Sequence, residues 1–565
     1  MPADTLAALL LARAGDDRPG LLFEGREWSW REHVAACRAA AGWLGTRTVP
    51  SWRAARAAGR PHVGVLCDNV PELLFLVGAA ALGGSVVVAL NPTRSPAELS
   101  RDAAATHVAL LLYDEPYEES ATRLARDLGV PRAPFATLAA DSAPTEPTAP
   151  TELTAPTEGA GPGPGDLVML IFTSGTSGRP RAVRITQRKL AVPGRSLGAL
   201  LTPDDVVYCS MPLFHSGALM AAYAPAVASG AALALRRRFS ASGLLPDVRR
   251  YGCTYLHYVG KALSYVLATP DRPDDAGNPL RLAFGNEGSA TATRRFGERF
   301  GCRVIDAFGS TETAISLTPD PAAPPGSLGR LPDDVEIRDP FTGARCPPAR
   351  VEDGRLLNPD EAIGELVNVA GAGLFDGYYD DPEADAERLR DGAFWSGDLA
   401  YADARGHVFF AGRGTERLRV DGENLAVAPI EAALREFPGV VEAAVYPVPD
   451  AAAGDQPMAA LVMAEPFSPA AFASFLAARP DVGRKAVPRY VRIAPALPQT
   501  ASHKVVKRVL ARDAWRTADP VWWRPPGPSP ARDGWRRLEE DDVKAIEDDF
   551  ARNGRAHLLA HLREE

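Results

Sequence analysis

The chain has 565 residues, of which 46% are hydrophobic and 24% are charged, the composition of a soluble globular protein. This length predicts at least two domains, because single cores stop growing at roughly 250 to 300 residues. The formal net charge of -9 argues against a nucleic acid as the main partner, since phosphate backbones select basic surfaces. Six cysteines without a CxxC pair, and an N-terminus without a signal-peptide pattern, predict a cytoplasmic protein with reduced thiols.

Helical and strand patterns alternate along the N-terminal part of the chain. Residues 23–28 predict a hairpin, 30–44 an amphipathic helix and 62–67 a buried strand. The apolar run 73–90 is interrupted by glycines, so it predicts a core helix, a turn and a strand. A membrane span would need about 20 apolar residues. The alternation predicts a layered, largely parallel α/β sheet.

Two segments differ in composition from the rest of the chain. Residues 143–165 nearly repeat the unit APTE and contain no aromatic residue, which predicts a disordered, exposed loop. Beyond Lys507 the chain becomes rich in tryptophan, proline and charge, and we interpret residues 511–565 as a C-terminal tail.

The strongest functional signal follows the predicted core strand 166–172. The strand leads directly into a loop of hydroxyl residues and glycines, Thr173 to Gly178. Glycines let a backbone approach phosphate closely, and loop N–H groups and hydroxyls donate to its oxygens. The spacing is not the GxxxxGK[ST] arrangement of nucleotide hydrolases.

This loop resembles the phosphate-binding loop of the adenylate-forming superfamily, which includes acyl-CoA synthetases, luciferases and the adenylation domains of peptide synthetases. The usual pattern ends in Pro-Lys-Gly, whereas this chain has Pro180-Arg181-Ala182, and arginine keeps the positive charge. The resemblance implies that ATP is bound by Thr173, Ser174, Gly175, Thr176, Ser177, Gly178 and Arg181.

Further motifs follow in the order of the superfamily. Residues 212–217 resemble the segment whose histidine, here His215, lines the acyl pocket. Residues 284–288 resemble the adenine-side turn, and 306–312 the adenine- and magnesium-binding segment. The resemblance implies that Glu312 binds Mg²⁺, which prefers carboxylate and phosphate oxygens, and that Thr311 is catalytic. The ATP-binding residues implied here are Gly285, Asn286, Glu287, Asp306, Phe308 and Gly309.

Three motifs in the C-terminal half complete the resemblance. Residues 394–399 resemble the ribose-binding motif, in which the two carboxylate oxygens of Asp398 would accept from both hydroxyls. Residues 410–413 would supply the second ribose contact, Arg413. Residues 498–504 resemble the catalytic loop, in which Lys504 would neutralise charge between the acyl carboxylate and the α-phosphate.

The narrower resemblance is to the fatty acid transport protein and very-long-chain acyl-CoA synthetase branch. It rests on the asparagine of the adenine turn, the triplet Gly422-Glu423-Asn424 and the tail segment 519–523. The implied α/β fold has a large N-terminal adenylate-forming domain of layered α/β subdomains and a small mobile α+β C-terminal domain. The domains would span 1–413 and 414–510, followed by the tail 511–565.

The resemblance implies an ATP-dependent acyl-CoA synthetase that uses ATP, Mg²⁺ and coenzyme A. A fatty or related carboxylic acid would form acyl-AMP and then a thioester, with Gly422 at the CoA channel. Alternatives are a diazotase that activates nitrite for an aryl amine, a ligase that loads a carrier protein, and an inactive nucleotide-binding homologue. Arg181, Phe308 and His503 are the departures that support the inactive homologue. Peripheral membrane contact, the acyl chain and the oligomeric state stay open.

Overall fold

The computed structural model describes residues 4–559, except 60, 141–161, 174–180, 260–261, 287–289, 318–319, 321, 325, 353–354, 414–416, 421–422, 452–454, 480–481, 483–485, 500–504, 526–534, 554 and 557–558. The predicted loop 143–165 falls almost wholly outside the described residues. The chain folds into two compact units. The first unit comprises Met1–Ser316 and Ala370–Phe394, and the second comprises Leu317–Val369 and Trp395–Glu565. The domain boundaries drawn from the sequence stay predictions.

The strands, in chain order, are β1 (Pro19–Phe23), β2 (Arg26–Ser29), β3 (His62–Leu66), β4 (Val86–Ala89), β5 (Val108–Tyr113), β6 (Arg132–Pro134), β7 (Leu167–Thr173), β8 (Arg181–Thr186), β9 (Val206–Cys209), β10 (Ala232–Leu235), β11 (Tyr255–Val259), β12 (Leu282–Asn286), β13 (Arg303–Asp306), β14 (Ser327–Arg330), β15 (Val335–Arg338), β16 (Val351–Glu352), β17 (Arg355–Leu356), β18 (Gly364–Asn368), β19 (Leu389–Arg390), β20 (Ala393–Ala402), β21 (His407–Arg413), β22 (Arg417–Val420), β23 (Glu423–Ala426), β24 (Val440–Pro449), β25 (Asp455–Met463), β26 (Tyr490–Ile493), β27 (Val521–Trp523) and β28 (Arg536–Arg537).

The α-helices are α1 (Leu6–Leu11), α2 (Trp30–Gly45), α3 (Pro50–Ala57), α4 (Pro71–Gly83), α5 (Pro96–Ala105), α6 (Glu118–Leu128), α7 (Ala136–Ala140), α8 (Gln187–Gly198), α9 (Ser216–Ala218), α10 (Ala224–Ser229), α11 (Ala241–Tyr251), α12 (Ala262–Leu267), α13 (Ala290–Phe300), α14 (Pro359–Ala362), α15 (Pro382–Arg388), α16 (Val427–Arg435), α17 (Pro469–Ala477), α18 (Lys507–Asp513) and α19 (Glu540–Arg552). A 3₁₀-helix spans Glu115–Tyr117, and a π-helix spans Leu219–Tyr223.

The first unit is built on two mixed sheets covered by helices. One has the order β6-β5-β3-β4-β7-β8 and the other the order β13-β12-β11-β9-β10-β1-β2. Pairing is parallel throughout, except for the antiparallel pairs β7–β8 and β1–β2. Strands such as β3, β4 and β5 are buried along their whole length, as parallel strands between helical layers must be. The predicted layered α/β fold is confirmed.

The predictions for the N-terminal elements are also confirmed. Ser29 and Glu32 form a capping box that starts α2, so the helix begins where its apolar face begins. Helix α4 ends at Gly84, whose φ of 78° is the left-handed conformation that a glycine adopts without strain. Strand β4 follows at once, so the apolar run 73–90 is a helix, a turn and a strand. Among the described residues, no helix is long and apolar enough to cross a membrane.

The second unit contains two larger sheets. One has the order β14-β21-β20-β18-β15, and the other has the order β24-β25-β26-β27-β28. The segment interpreted as a tail supplies β27, β28 and α19 to this unit. Trp515, Trp523 and Phe550 from that segment are buried in one core with Tyr446 and Tyr490.

The basic run Arg236 to Arg238 at the end of β10 is paired with carboxylates in the first unit. Arg236 pairs with Asp247, Arg237 with Glu24 and Asp114, and Arg238 with Asp68. The run therefore ties strand ends together, because its charges are balanced by neighbouring acids. Partly exposed pairs of this kind each contribute little stability.

Asp205 anchors the start of β9 within the first unit. Its carboxylate accepts from Arg281 at 2.7 Å, from the Thr254 hydroxyl at 2.7 Å and from the Thr202 backbone N–H at 2.7 Å. Burial alone would raise the pKa of Asp205. The hydrogen bonds have the larger combined effect, so the pKa is lowered to about 2. The anion is therefore fixed between three chain segments.

We predict that Asp205→Asn lowers the melting temperature by about 4 °C, since it removes a buried carboxylate whose hydrogen bonds and pairing with the half-exposed Arg281 contribute roughly 2 kcal/mol. The folded pKa lies below the ordinary value, so this stability is present above about pH 4 and is lost as the pH falls towards 2. Thermal unfolding from pH 7 to pH 3 measures both effects. The exposed neighbour variant Asp204→Asn should change neither, and an equal loss in both variants would contradict the assignment.

Candidate functional site

The predicted adenine-side residues meet at the carboxyl ends of two neighbouring parallel strands. Strand β12 ends at Asn286, and β13 ends at Asp306, with Gly285 in register with Asp306. The Ala307 N–H donates to the Gly285 carbonyl at 2.8 Å, which fixes the turn that follows β13. The Asn286 amide reaches the Gly309 carbonyl at 3.5 Å. The structure thus brings together Gly285, Asn286, Asp306 and Gly309, with Phe308 half-buried between the last two.

The backbone at Gly285 is in unusually close contact with strand β11. A Cβ placed on Gly285 would lie 2.1 Å from the Tyr258 carbonyl oxygen, a distance that no side chain tolerates. The Tyr258 hydroxyl donates to the Asp306 carboxylate at 3.1 Å. Burial and the nearby Asp306 charge raise the pKa of Tyr258, so its hydroxyl stays protonated and remains a donor.

The turn also presents an acceptor suited to an adenine ring. Among the described residues, Asn286 Oδ1 is buried and has no hydrogen-bond partner. A buried amide oxygen left unpaired is unfavourable, and an exocyclic amine would satisfy it. The residues here therefore fit an adenine nucleotide.

The segment 311–314 is held from two sides within the first unit. The Thr311 and Ser216 hydroxyls are 3.0 Å apart, and Ser216 follows His215 directly. The Tyr378 hydroxyl donates to Glu312 Oε1 at 2.9 Å. Burial and the Glu312 charge raise the pKa of Tyr378, which keeps this donor protonated. The structure therefore places the predicted acyl-pocket segment beside the predicted magnesium segment.

A magnesium ion fits the oxygen donors of this segment. Glu312 offers a carboxylate and Thr311 a hydroxyl, both of the hard-oxygen type that Mg²⁺ prefers. Within the part of the chain that the structure describes, no group of three or more His, Cys, Asp or Glu side chains could hold a metal. Mg²⁺ in nucleotide sites typically binds one or two carboxylates together with substrate phosphates and water, so Glu312 could serve as its protein ligand.

The predicted phosphate loop is placed by its two flanking strands. Thr173 ends β7 and is in antiparallel register with Arg181, which begins β8. Ser174, Gly175, Thr176, Ser177 and Gly178 lie outside the described residues. Arg181 is buried, pairs with Glu387, and its guanidinium carbon lies 5.4 Å from the Tyr378 ring centroid. Its predicted contact with ATP stays a prediction.

The second unit carries the predicted ribose-binding residues on one antiparallel pair of strands. Asp398 on β20 is directly opposite Arg413 on β21. Gly397, with a φ of 75°, donates its N–H to Glu365 at 2.6 Å, and Asp398 N–H donates to the Ser396 hydroxyl at 3.0 Å. Asp398 is only 5% exposed.

Several predicted residues fall outside the described part of the chain. They are Glu287 in the adenine turn, Gly422 and Lys504. Strands β22 and β23 flank Gly422, and a bridge between Gln499 and Val505 flanks Lys504. Their roles stay predictions.

Four buried side chains in the first unit belong to this region but were not predicted from the sequence. Tyr258 and Tyr378 bond the two acidic residues Asp306 and Glu312. His257 donates from Nδ1 to the Phe284 carbonyl at 3.1 Å, and burial lowers its pKa to about 4. Lys189 is fully buried in α8. None of the four lies in a recognisable motif, so sequence spacing carried no signal for them.

Comparison with known proteins identifies the family. The family model described as AMP-binding enzyme matches residues 11–379, and the model of its C-terminal domain matches residues 429–504. The chain belongs to the family of AMP-binding enzymes. It is 43% identical to steroid-22-oyl-CoA synthetase of Rhodococcus jostii, over 98% of this chain and 99% of that protein. It is 45% identical to the medium/long-chain-fatty-acid–CoA ligase FadD17 of Mycobacterium marinum, over 92% and 99%.

Solved structures support the same fold. ATP-bound MatB from Rhodopseudomonas palustris superposes with a TM-score of 0.76 at 24% identity, covering 90% of this chain and 98% of that one. MenE from Bacillus subtilis, in complex with an acyl-adenylate intermediate, has a TM-score of 0.71 at 24% identity, covering 89% and 97%.

The predicted enzyme class is confirmed by the family and the relatives. The AMP-binding enzyme is an ATP-dependent, AMP-forming acyl-CoA ligase, and its co-substrates and metal are ATP, coenzyme A and Mg²⁺. The predicted resemblance to a fatty-acid-activating branch of the adenylate-forming superfamily is confirmed as well.

We predict that Gly285→Ala lowers ATP–pyrophosphate exchange by about 100-fold, because its methyl group would push the adenine turn away from β11 by about 1 Å. Steady-state exchange with varied ATP measures the loss. Gly42→Ala, in a helix with open space around the new Cβ, is the matched control and should retain full activity. Wild-type exchange in Gly285→Ala would show that the close approach is unimportant.

Proposed function

We propose that this enzyme activates a large apolar carboxylic acid, of the fatty-acid or steroid side-chain class, and transfers it to coenzyme A. The names of the two relatives reported above support this substrate class. The observation that carries the proposal is the 3.0 Å contact between Ser216 and Thr311. This contact puts the predicted acyl-binding segment against the segment that would face the nucleotide phosphates.

The segment that follows Ser216 is apolar, which is consistent with a large hydrocarbon substrate. Leu219, Met220 and Tyr223 of the π-helix that follows α9 are buried. π-helices are rare and often occur at functional sites, since they widen one face of a helix. Met220 lies against the Thr313 hydroxyl at 3.7 Å, next to Glu312. A flexible thioether suits an acyl group of irregular shape.

In the first half-reaction the protein orients the acid and the nucleotide for in-line attack. Asn286 would accept from the adenine amine, Asp398 and Arg413 would hold the ribose, and Thr173 to Gly178 would bind phosphate oxygens. Bound Mg²⁺ supplies charge neutralisation at the phosphates. Tyr378 holds Glu312 in place for this role. Lys504 would stabilise the negative charge that develops between the acyl carboxylate and the α-phosphate.

In the second half-reaction the thiol of coenzyme A attacks the acyl carbonyl carbon. The bond to AMP breaks, AMP leaves with the mixed-anhydride oxygen, and the thiol proton is lost to solvent. Gly422 would lie where the thiol arm passes, since a glycine leaves room in a narrow channel.

We predict that Lys504→Ala lowers adenylate formation by about 100- to 1000-fold, the scale expected for one preorganised charge contact. Thioester formation from supplied acyl-AMP should fall far less. Pyrophosphate exchange and a single-turnover thioester assay measure the two steps.

Gly422→Leu is the complementary variant for the same two assays. It should retain pyrophosphate exchange and lose thioester formation, because the new side chain blocks only the thiol. If both variants lose both half-reactions equally, the proposed division of roles is wrong.

The substrate class is tested by AMP release with a panel of acids. We expect CoA-dependent AMP release with medium- and long-chain fatty acids or steroid side-chain acids. Acetate and malonate should give at least about tenfold less, because each apolar methylene contributes about 0.8 kcal/mol on burial. Preference for the small polar acids would contradict the proposal.

A further inference from the structure

A buried lysine lies in the first unit without a conventional partner. Lys189 is 0% exposed in α8, and among the described residues its Nζ has no hydrogen-bond partner. The ring centroid of Phe375 is 5.7 Å from Nζ. An isolated ammonium in a protein interior is strongly unfavourable, so a lysine kept there requires a compensating charge.

Two carboxylates act on Lys189, and one of them is already engaged. Asp376 pairs with Arg188 and accepts from the Thr186 hydroxyl at 2.6 Å. Glu312 accepts only the Tyr378 hydroxyl among its described contacts. Burial lowers the pKa of Lys189 to about 8, while the charges of Glu312 and Asp376 act in the opposite direction. Of these two carboxylates, Glu312 is therefore the one that forms no ion pair with a neighbouring arginine among the described residues.

One loop, residues 373–378, contacts both the segment that contains Glu312 and the side chain of Lys189. The Leu374 N–H donates to the Thr313 carbonyl at 3.2 Å, and a Cβ on Gly373 would lie 2.5 Å from the Ala314 carbonyl oxygen. Phe375, which contacts Lys189, also packs edge-on against Tyr378 with centroids 5.0 Å apart. The loop therefore contacts three groups: the backbone that follows Glu312, the Glu312 carboxylate and the ammonium group of Lys189.

We propose that Lys189 is a positioning residue for Glu312. Its buried charge, next to the Phe375 ring that packs against Tyr378, holds the Glu312 carboxylate in the orientation needed for Mg·ATP. The proposal rests on the proposed function, since it assigns Glu312 to the magnesium-nucleotide complex.

The first test is Lys189→Met, which keeps an unbranched side chain, one heavy atom shorter, and removes its charge. Without the lysine charge Glu312 would hold Mg²⁺ less well, so we expect the Kd of the enzyme for the Mg²⁺ complex of α,β-methylene-ATP, measured by calorimetry, to rise about tenfold. The KM for Mg·ATP in pyrophosphate exchange should rise similarly, and the KM for the acid should stay within twofold. The melting temperature should stay equal or rise, because replacing an unpaired buried charge with an apolar side chain is neutral or stabilising.

A double-mutant cycle with Glu312→Gln separates positioning from packing. If Lys189 acts through Glu312, the double variant should bind the nucleotide no more weakly than Glu312→Gln alone. Lys544→Met, the same change on the exposed face of α19, is the control and should match the wild type.

Additive losses, or an unchanged nucleotide Kd in Lys189→Met, would overturn the proposal. Lys189→Gln serves as a second variant, and failure of both Lys189 variants to fold would assign the lysine to the core and also overturn it. If no acid supports exchange in the wild type while the calorimetric cycle still shows coupling, the proposed function fails and the role of Lys189 stands.

Discussion

The parallel pairing of β11, β12 and β13 is the constraint on which the site in the first unit depends. Gly285 allows β12 to approach the Tyr258 carbonyl, and the Tyr258 side chain then reaches across to Asp306. Because both strands end at this level, Asn286 and the 306–312 segment emerge side by side. One missing Cβ therefore decides where the adenine-side residues lie.

The second constraint is the set of hydrogen bonds that fixes the position of residues 311–314. Ser216 fixes Thr311, Tyr378 fixes the Glu312 carboxylate, and Leu374 fixes the Thr313 carbonyl. Thr313 itself has a φ of 55°, which is uncommon for a β-branched residue and is maintained only by surrounding contacts. Chemistry that depends on positioning charge benefits from such a rigid segment, since no reorganisation is then needed during reaction.

The sequence predicted the layered fold, because alternating helical and strand patterns are clear in the N-terminal part of the chain, whereas Asn286 and Asp306 were named only through the resemblance to the superfamily. It could not predict the register that sets Asp398 opposite Arg413, since that pairing depends on an irregularity after Leu399. Tyr378 lies 66 residues from Glu312, and only the tertiary fold brings them together. Lys189 carries no signal either, because a lysine in a helical pattern indicates an exposed position.

Composition was a weaker guide in the C-terminal segment. Tryptophan, proline and charge together show no periodicity, so residues 511–565 suggested a tail. The structure uses β27 and β28 to extend a sheet and packs Ile546 and Phe550 of α19 into a core. Aromatic side chains bury large areas, so a few of them suffice to dock such a segment.

We propose that this AMP-binding enzyme joins an apolar acid to coenzyme A through an acyl-AMP. The most direct measurement uses a fatty or steroid side-chain acid labelled with ¹⁸O in both carboxylate oxygens, with mass analysis of the products. We expect one ¹⁸O in AMP, one in the thioester and none in pyrophosphate. Unlabelled AMP, or label in a phosphate product other than AMP, would contradict it.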